Sequence, residues 1–399
     1  MPLPTNTQLT IDMITSEALV VLHEQLNFIG NINRQYDDQF AKAGAKIGST
    51  LRIREPNQFV IRNGRVAVPQ NMTSTKVDLV VATQIGVDME FSSAEMAMDI
   101  NDFSREYIEP AMQRLASEIE SIAFQMTMDV YNLVGTPGTT PATLRVYLDA
   151  KAKLQQFLAP RGNRYMTINS AAEAATVDAL KGLFQSSTAI SKQYLEGLIG
   201  RVAGMDWFQN ELIHVHTNGS MGGTPLVNGA SQTGTSLITD GWGTTNTITQ
   251  GTVFTLAGVY AVHPETKVAY DFLQQFVVTA DATASAGAAT LSISPEIITS
   301  GARQTVSASP ADNAAITPVG AASTSYAQNL AFHRDAFTFA TADLELYSDA
   351  KQISRQVMDG ISMRIWQASD IREDSNITRV DVYMGQKAVR PQLACRVTS

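Results

Sequence analysis

The chain has 399 residues, 44% of them apolar and 17% charged, with 38 acids against 29 bases and a formal net charge of -9. A chain this long can bury several structural units without staples, and its acidic balance gives no electrostatic reason to seek a phosphate backbone, which disfavours a dedicated nucleic-acid binder. One cysteine, Cys395, excludes an intrachain disulfide and any thiolate cluster. The opening MPLPTNTQLT lacks the basic flank and apolar run of a secretion signal, and no stretch of about 18 apolar residues occurs, so neither export nor membrane insertion is expected.

From Ile11, the apolar positions Ile14, Ala18, Leu22, Leu26 and Ile29 recur at helical spacing and predict an amphipathic N-terminal arm. Between Lys42 and Phe91 the pattern becomes alternating, as in Leu51-Arg52-Ile53-Arg54. Breaks at Pro56, Asn63-Gly64 and Pro69 predict long hairpin strands with a tight turn at Asn63-Gly64. Apolar residues from Ile108 through Met112, Leu115, Ile119, Ile122, Met126 and Val130 to Leu133 step by three and four, which predicts one long helix over about 101–134. Pro110 is tolerated in it at the first turn. Helices are expected near 144–158 and 171–184.

The composition then shifts. Residues 217–325 hold only eight charges among 109 residues, and their short apolar runs between Thr, Ser, Gly and Ala predict a β-rich insertion. Period-two strands return over 361–365 and 380–384, so the two sides of the insertion are expected to belong to one domain.

Catalytic signatures are scarce. The run from Gly44 to Thr50 has its Lys and Ser/Thr in the wrong order for a phosphate-binding loop. His214 and His216 would share one face of a strand, as metal ligands can, but no third ligand stands at a recognisable spacing. His333-Arg334-Asp335 matches three letters of a kinase catalytic loop without the Asn that must follow. His23-Glu24 opens no zincin motif, and Asp370, Glu373 and Asp374 read as a solvated acidic cluster. No catalytic residue, metal or cofactor is expected.

Charge is partitioned more tellingly. From Lys42 to Lys76 seven bases face one acid, a local charge of +6; from Asp88 to Asp129 ten acids face two bases, a local charge of -8. Such blocks either fold onto each other within one chain or dock a basic hairpin on the acidic helix of a neighbouring copy. The second arrangement is heterologous and closes into rings. It would use Arg52, Arg54, Arg62 and Arg65 against Glu106, Glu109, Glu118 and Glu120.

The run NLAFHRDAFTFAT (Asn329 to Thr341) resembles a recurring segment of the major capsid proteins of short-tailed double-stranded DNA phages, in the coat family that carries an inserted domain. FTLAGVYAVHPETK (Phe254 to Lys267), LQQFVVTAD (Leu273 to Asp281), GISMRIW (Gly360 to Trp366) and RVDVYMG (Arg379 to Gly385) are similar to that family too. The resemblance implies an α+β chain with the Hong Kong ninety-seven phage capsid fold: a long spine helix, an extended β-hairpin loop and an inserted β-barrel.

On this chain it implies an N-arm at 1–41, an extended loop at 42–81, a peripheral domain with the spine helix at 82–139 and an axial domain at 140–216. The inserted domain would occupy 217–325, with a return to axial core and peripheral strands at 326–399. It implies a structural protein, not an enzyme, that self-assembles into hexamers and pentamers of an icosahedral shell in the host cytoplasm and resides in the virion. Its implied partners are a scaffolding protein, a portal protein and packaged double-stranded DNA held without sequence-specific binding; a decoration protein is a further candidate, and no membrane is involved. An isopeptide crosslink would have Lys76 and Asn376 available, but nothing in their context singles them out. The rival reading is a β-rich virion accessory or adhesion protein, suggested by the Thr- and Gly-rich middle third.

Overall fold

The structure, a computed structural model, describes residues 11–37, 50–62, 64–67, 69, 75–92, 107–180, 201–347, 352–358, 360–370 and 375–398. The chain divides into two compact units, each assembled from distant parts of the sequence.

The first unit takes residues 1–53, 77–123 and 338–387. Its sheet runs in the order Asn33–Asp37, Phe337–Ala342, Ser375–Ala388, Ile361–Asp370, Gln352–Met358, with Thr83–Ser92 also paired to Ser375–Ala388. That last pairing is unbroken from Ser375 opposite Ser92 to Met384 opposite Thr83. Gly86 is required there, because a Cβ would stand 2.2 Å from the Val380 carbonyl oxygen. The N-terminal helix Ile11–Gln25 buries Thr15, Ala18, Leu19 and Leu22 and lies against Gln352–Met358. This is the spacing of one helical face.

Charge sits inside this sheet. Arg364 and Asp381 are directly opposite each other, both buried, with Nη2 2.7 Å from Oδ2. Arg379 Nε reaches the other Asp381 oxygen at 3.0 Å, and Arg364 Nη1 donates to the Glu345 carbonyl at 2.7 Å. Burial pushes the Asp381 carboxyl up, but hydrogen bonds from Arg364, Arg379 and Gln84 outweigh it and hold the group below the usual carboxylate range. Asp343 is tied similarly, to Ser362 Oγ at 2.6 Å and Arg355 at 3.2 Å.

The second unit takes residues 54–76, 124–337 and 388–399. Its seven-stranded sheet has the order Leu133–Val134, Ala394–Thr398, Ser325–His333, Arg164–Ile168, Met205–Gln209, Arg201–Val202, and Val215–Thr217 pairs with the start of Ser325–His333. Helix Leu144–Gln156 buries Tyr147, Ala150 and Leu154, at steps of three and four. Between Thr217 and Ser325, cross-strand partners whose hydroxyls are 2.8 Å apart, the chain builds a second body. It is an antiparallel sheet ordered Gly223–Val227, Gly234–Trp242, Ala289–Ile297, Ala269–Val278, Val253–Val262, Ile316–Pro318. A bridge from Leu226 to Ala315 joins its two ends and closes the barrel. Phe254, Phe276, Leu291 and Trp242 fill its interior, each such burial contributing about 1.5–3 kcal/mol.

The barrel is anchored within its unit by strand Ala269–Val278. Gln275 donates to the Leu133 carbonyl at 2.8 Å and accepts from the Leu133 amide at 3.0 Å, so a side chain stands in for a strand partner. Tyr270 donates to the Gln156 carbonyl at 2.9 Å, and Lys153 lies 3.7 Å from the centre of the Phe272 ring.

The long helix differs from expectation. It begins at Glu109, with Pro110 in its first turn, and ends at Phe124; a 3₁₀ turn follows at Gln125–Asp129 and a strand at Leu133–Val134. Residues 101–106 lie outside the described residues. The apolar period continues past Phe124 because Met126, Val130 and Leu133 are also buried, but Leu133–Val134 pairs with Arg396 and Val397 instead of extending the helix. The extended loop is likewise only partly strand: Thr50–Arg54 pairs with Lys76–Val80, and no regular strand is described between them. The second of the two later helices, at Ser170–Leu180, ends where the described residues do.

Replacing Arg364 with Met should cost about 3 kcal/mol, because a buried carboxylate loses one of its cationic partners. Urea unfolding at pH 7 measures this, and Arg364→Met combined with Asp381→Leu should recover much of the loss. Replacing residues 222–322 with a short Gly-Ser link should leave the remaining chain folded and cooperative in unfolding, read by circular dichroism and limited proteolysis.

Candidate assembly surface

Strand Thr50–Arg54 sorts its side chains by alternation. Leu51 and Ile53 pack on Leu79, Val81, Ala340 and Tyr383, while Arg52 and Arg54 stand exposed on the other face. Beyond it, Glu55 donates its amide to the Thr75 carbonyl at 3.0 Å and pairs with Arg303 at 3.3 Å. Arg62 and Arg65 are also exposed, and Arg62 Nη1 folds back on its own turn, donating to the carbonyls of Gly64 and, at 3.1 Å, Val66. Gly64 has φ +109°, which an L side chain rarely adopts, and supplies the bend; Asn63 lies outside the described residues.

The loop also exposes a contiguous apolar run that charge counting passes over. Phe59, Val60 and Ile61 are 60%, 51% and 92% exposed, and Val66 is 79% exposed. Apolar side chains clustered with arginines on one loop are the composition of a contact surface. Its sequence signal was present, since Phe59-Val60-Ile61 breaks the alternation, but nothing in sequence shows that no core covers it.

The acidic helix is less uniform than its sequence. Glu109 is half-buried in the first turn, where the helix dipole favours a carboxylate. Glu118 is half-buried and pairs with Arg114 one turn earlier at 3.1 Å. Glu120 is 2% exposed and accepts the Phe28 amide at 2.6 Å, so its carboxylate serves the core of its own unit and is not presented for contact. The reason is periodic: Glu120 follows Ile119 on the edge of the stripe formed by Met112, Leu115, Ala116 and Ala123. Glu106 lies outside the described residues.

The other near-motifs resolve into structure. His333 Nδ1 accepts the Asp335 amide at 3.2 Å and caps a short 3₁₀ turn. His214 and His216 do share one face, with ring centres 6.3 Å apart, and among the described residues no group of three His, Cys, Asp or Glu could hold a metal ion. Cys395 is buried, and desolvation pushes its thiol up to about 12. Residues 371–374 and 41–49 lie outside the described residues. Among the described residues no helix is long and apolar enough to cross a membrane.

No curated protein sequence matches the chain. Among solved structures, the capsid of Ralstonia phage GP4 is similar at 8% identity and a TM-score of 0.46, covering 92% of this chain and 87% of that one. The capsid of cyanophage P-SCSP1u is similar at 9% identity and a TM-score of 0.45, covering 92% and 86%. A structure from Mycobacterium phage Che8 is similar at 11% identity and a TM-score of 0.44, covering 93% and 90%. The family described as P22 coat protein, gene protein 5, matches residues 64–396, which takes in the barrel, all but the last two residues of the seven-stranded sheet, and most of the first unit's sheet. With that match covering most of its length, the chain belongs to the P22 coat protein family.

Proposed function

We propose that this protein is the major capsid subunit of a short-tailed double-stranded DNA phage and that copies of it tile an icosahedral shell. The family match over residues 64–396 carries this reading. An α+β chain with an extended loop and an inserted barrel is the layout that the Hong Kong ninety-seven capsid fold implies. The exposed Phe59-Val60-Ile61 run and the four exposed arginines give it a surface to place on another copy. A net charge of -9 suits a shell that encloses DNA without adsorbing it strongly. Assembly in the host cytoplasm with a scaffolding protein, filling through a portal and residence in the virion follow from this reading.

Within it, Arg52, Arg54, Arg62 and Arg65 approach acidic groups of a neighbouring copy, Glu109 and Glu118 among them. Glu120 contributes nothing, being committed to Phe28. Arginines set the approach and register, and the apolar run supplies the contact that water is expelled from.

Two measurements test the division of labour. Reversing charge with Arg52→Glu and Arg54→Glu should leave the unfolding midpoint unchanged but slow assembly, followed by light scattering, by about tenfold or more at low salt. The gap between variant and wild type should narrow as salt is raised through about 0.5 M. Ile61→Asp should change subunit stability by less than about 0.5 kcal/mol, since the side chain is 92% exposed, yet abolish particles in electron micrographs at all salt concentrations. Normal shells from both variants would remove the loop from the assembly surface.

A further inference from the structure

One face of the seven-stranded sheet encloses a charge that has no counter-ion at contact distance among the described residues. Arg396 is fully buried, opposite Leu330, and Thr398 is opposite Gln328. His216 is opposite Tyr326, and the His214 carbonyl accepts the Gln328 amide at 2.9 Å. Directly opposed residues, and residues two apart, lie on the same side of a sheet. His214, His216, Gln328, Arg396 and Thr398 therefore share one face. The turn at Gly251, which leads into barrel strand Val253–Val262, covers it. Arg396 Nη1 donates to the Gly251 carbonyl at 2.9 Å. Gly251 has φ +90°, and a Cβ there would stand 3.1 Å from His216 Nδ1, so the imidazole lies against the same turn.

Gln328 Nε2 donates to the Tyr326 carbonyl at 3.4 Å, but six other polar atoms on this face are unmet. Arg396 Nε and Nη2, His214 Nε2, His216 Nε2, Gln328 Oε1 and Thr398 Oγ1 are all buried with no hydrogen-bond partner. None of the ion pairs among the described residues involves Arg396. Asp129, on the 3₁₀ turn Gln125–Asp129, is the carboxylate whose field reaches the guanidinium, without contact. Burial lowers the guanidinium to about 9, which leaves it charged at neutral pH. A charged group with two bare donors in a closed interior is among the costliest arrangements a fold can hold. Water there would answer the donors but not the charge; an anion answers both.

We propose that the enclosed face beneath the Gly251 turn is a binding site for a small inorganic anion of halide size. Arg396 Nε and Nη2 hold it, and His214 and His216 donate to it through Nε2–H. Binding is linked to protonation. Burial first, and then the Arg396 charge, hold both imidazoles below their ordinary range, His216 at about 4. The charged and titratable groups acting on them are Arg396 and each other, and the Asn218 side chain hydrogen-bonds to His216; Asp129 and the neutral Cys395 thiol act on Arg396, and Lys153 acts on that thiol. As pH falls from about 6.5 to about 4, the unfolded chain takes up protons that native His216 refuses, so stability declines over that window. An anion beside the imidazoles makes their charged forms acceptable and offsets that decline.

The test is thermal unfolding of the full chain at fixed ionic strength, with sodium chloride or bromide replacing sodium gluconate, whose anion is far larger than a halide. The expected result is a saturable rise in midpoint of about 2–4 °C in either halide at pH 7.5, and a larger rise at pH 5. Arg396→Met should lose the rise. His214→Gln with His216→Gln should keep a rise at pH 7.5 that no longer grows at pH 5. Bromide soaked into crystals of the wild-type chain should give an anomalous peak at hydrogen-bonding distance from Arg396 Nη2, a readout that needs no variant to fold. Equal midpoints in halide and gluconate, a halide effect undiminished in Arg396→Met, or ordered water without anomalous signal at Arg396 would each overturn the proposal.

Discussion

Strand Ser325–His333 is the member on which the second unit depends. It pairs with Ala394–Thr398 on one side and Arg164–Ile168 on the other, and its first residues pair with Val215–Thr217. These contacts join segments more than sixty residues apart, two of them more than a hundred, so they close large loops before any local gain arrives. The strand can afford this because Leu330, Ala331 and Phe332 are fully buried. The same pairing makes an inserted domain possible: Thr217 and Ser325 are antiparallel neighbours, and a chain leaving at one and returning at the other leaves the sheet undisturbed.

The barrel that fills this gap is coherent because its alternating apolar residues meet in one interior and the Leu226–Ala315 bridge removes its open edges. It is nonetheless fastened to its unit by polar devices, with Gln275 on the Leu133 backbone and Arg396 on the Gly251 carbonyl. Hydrogen bonds of this kind fix direction more sharply than apolar contact does. The first unit uses a comparable device inside a sheet, where Arg364, Asp381 and Arg379 lock the register of two strands. Register errors there would strand a buried carboxylate, a penalty that apolar side chains of similar volume would not impose. A coat subunit has reason to be built so, because a shell repeats any error in one copy at every contact.

Sequence alone determined a good deal. Period-two alternation at Leu51-Arg52-Ile53-Arg54 set which face of that strand is basic, and the charge-poor composition of residues 217–325 marked the β-rich insertion. Both are properties of neighbours in the chain, so local pattern suffices. The runs around Asn329, Phe254 and Gly360 were enough to suggest the coat family. Tertiary structure decided the rest. The long helix stops at Phe124 although its apolar period runs on, because Leu133 and Val134 find a strand partner at Arg396 and Val397, more than 260 residues away. Glu120 turns inward to meet the Phe28 amide, and Arg396 lies fully buried against Gly251. A charge in a sequence reads as solvated until a distant segment folds over it, and burial by distant segments leaves no trace in local spacing.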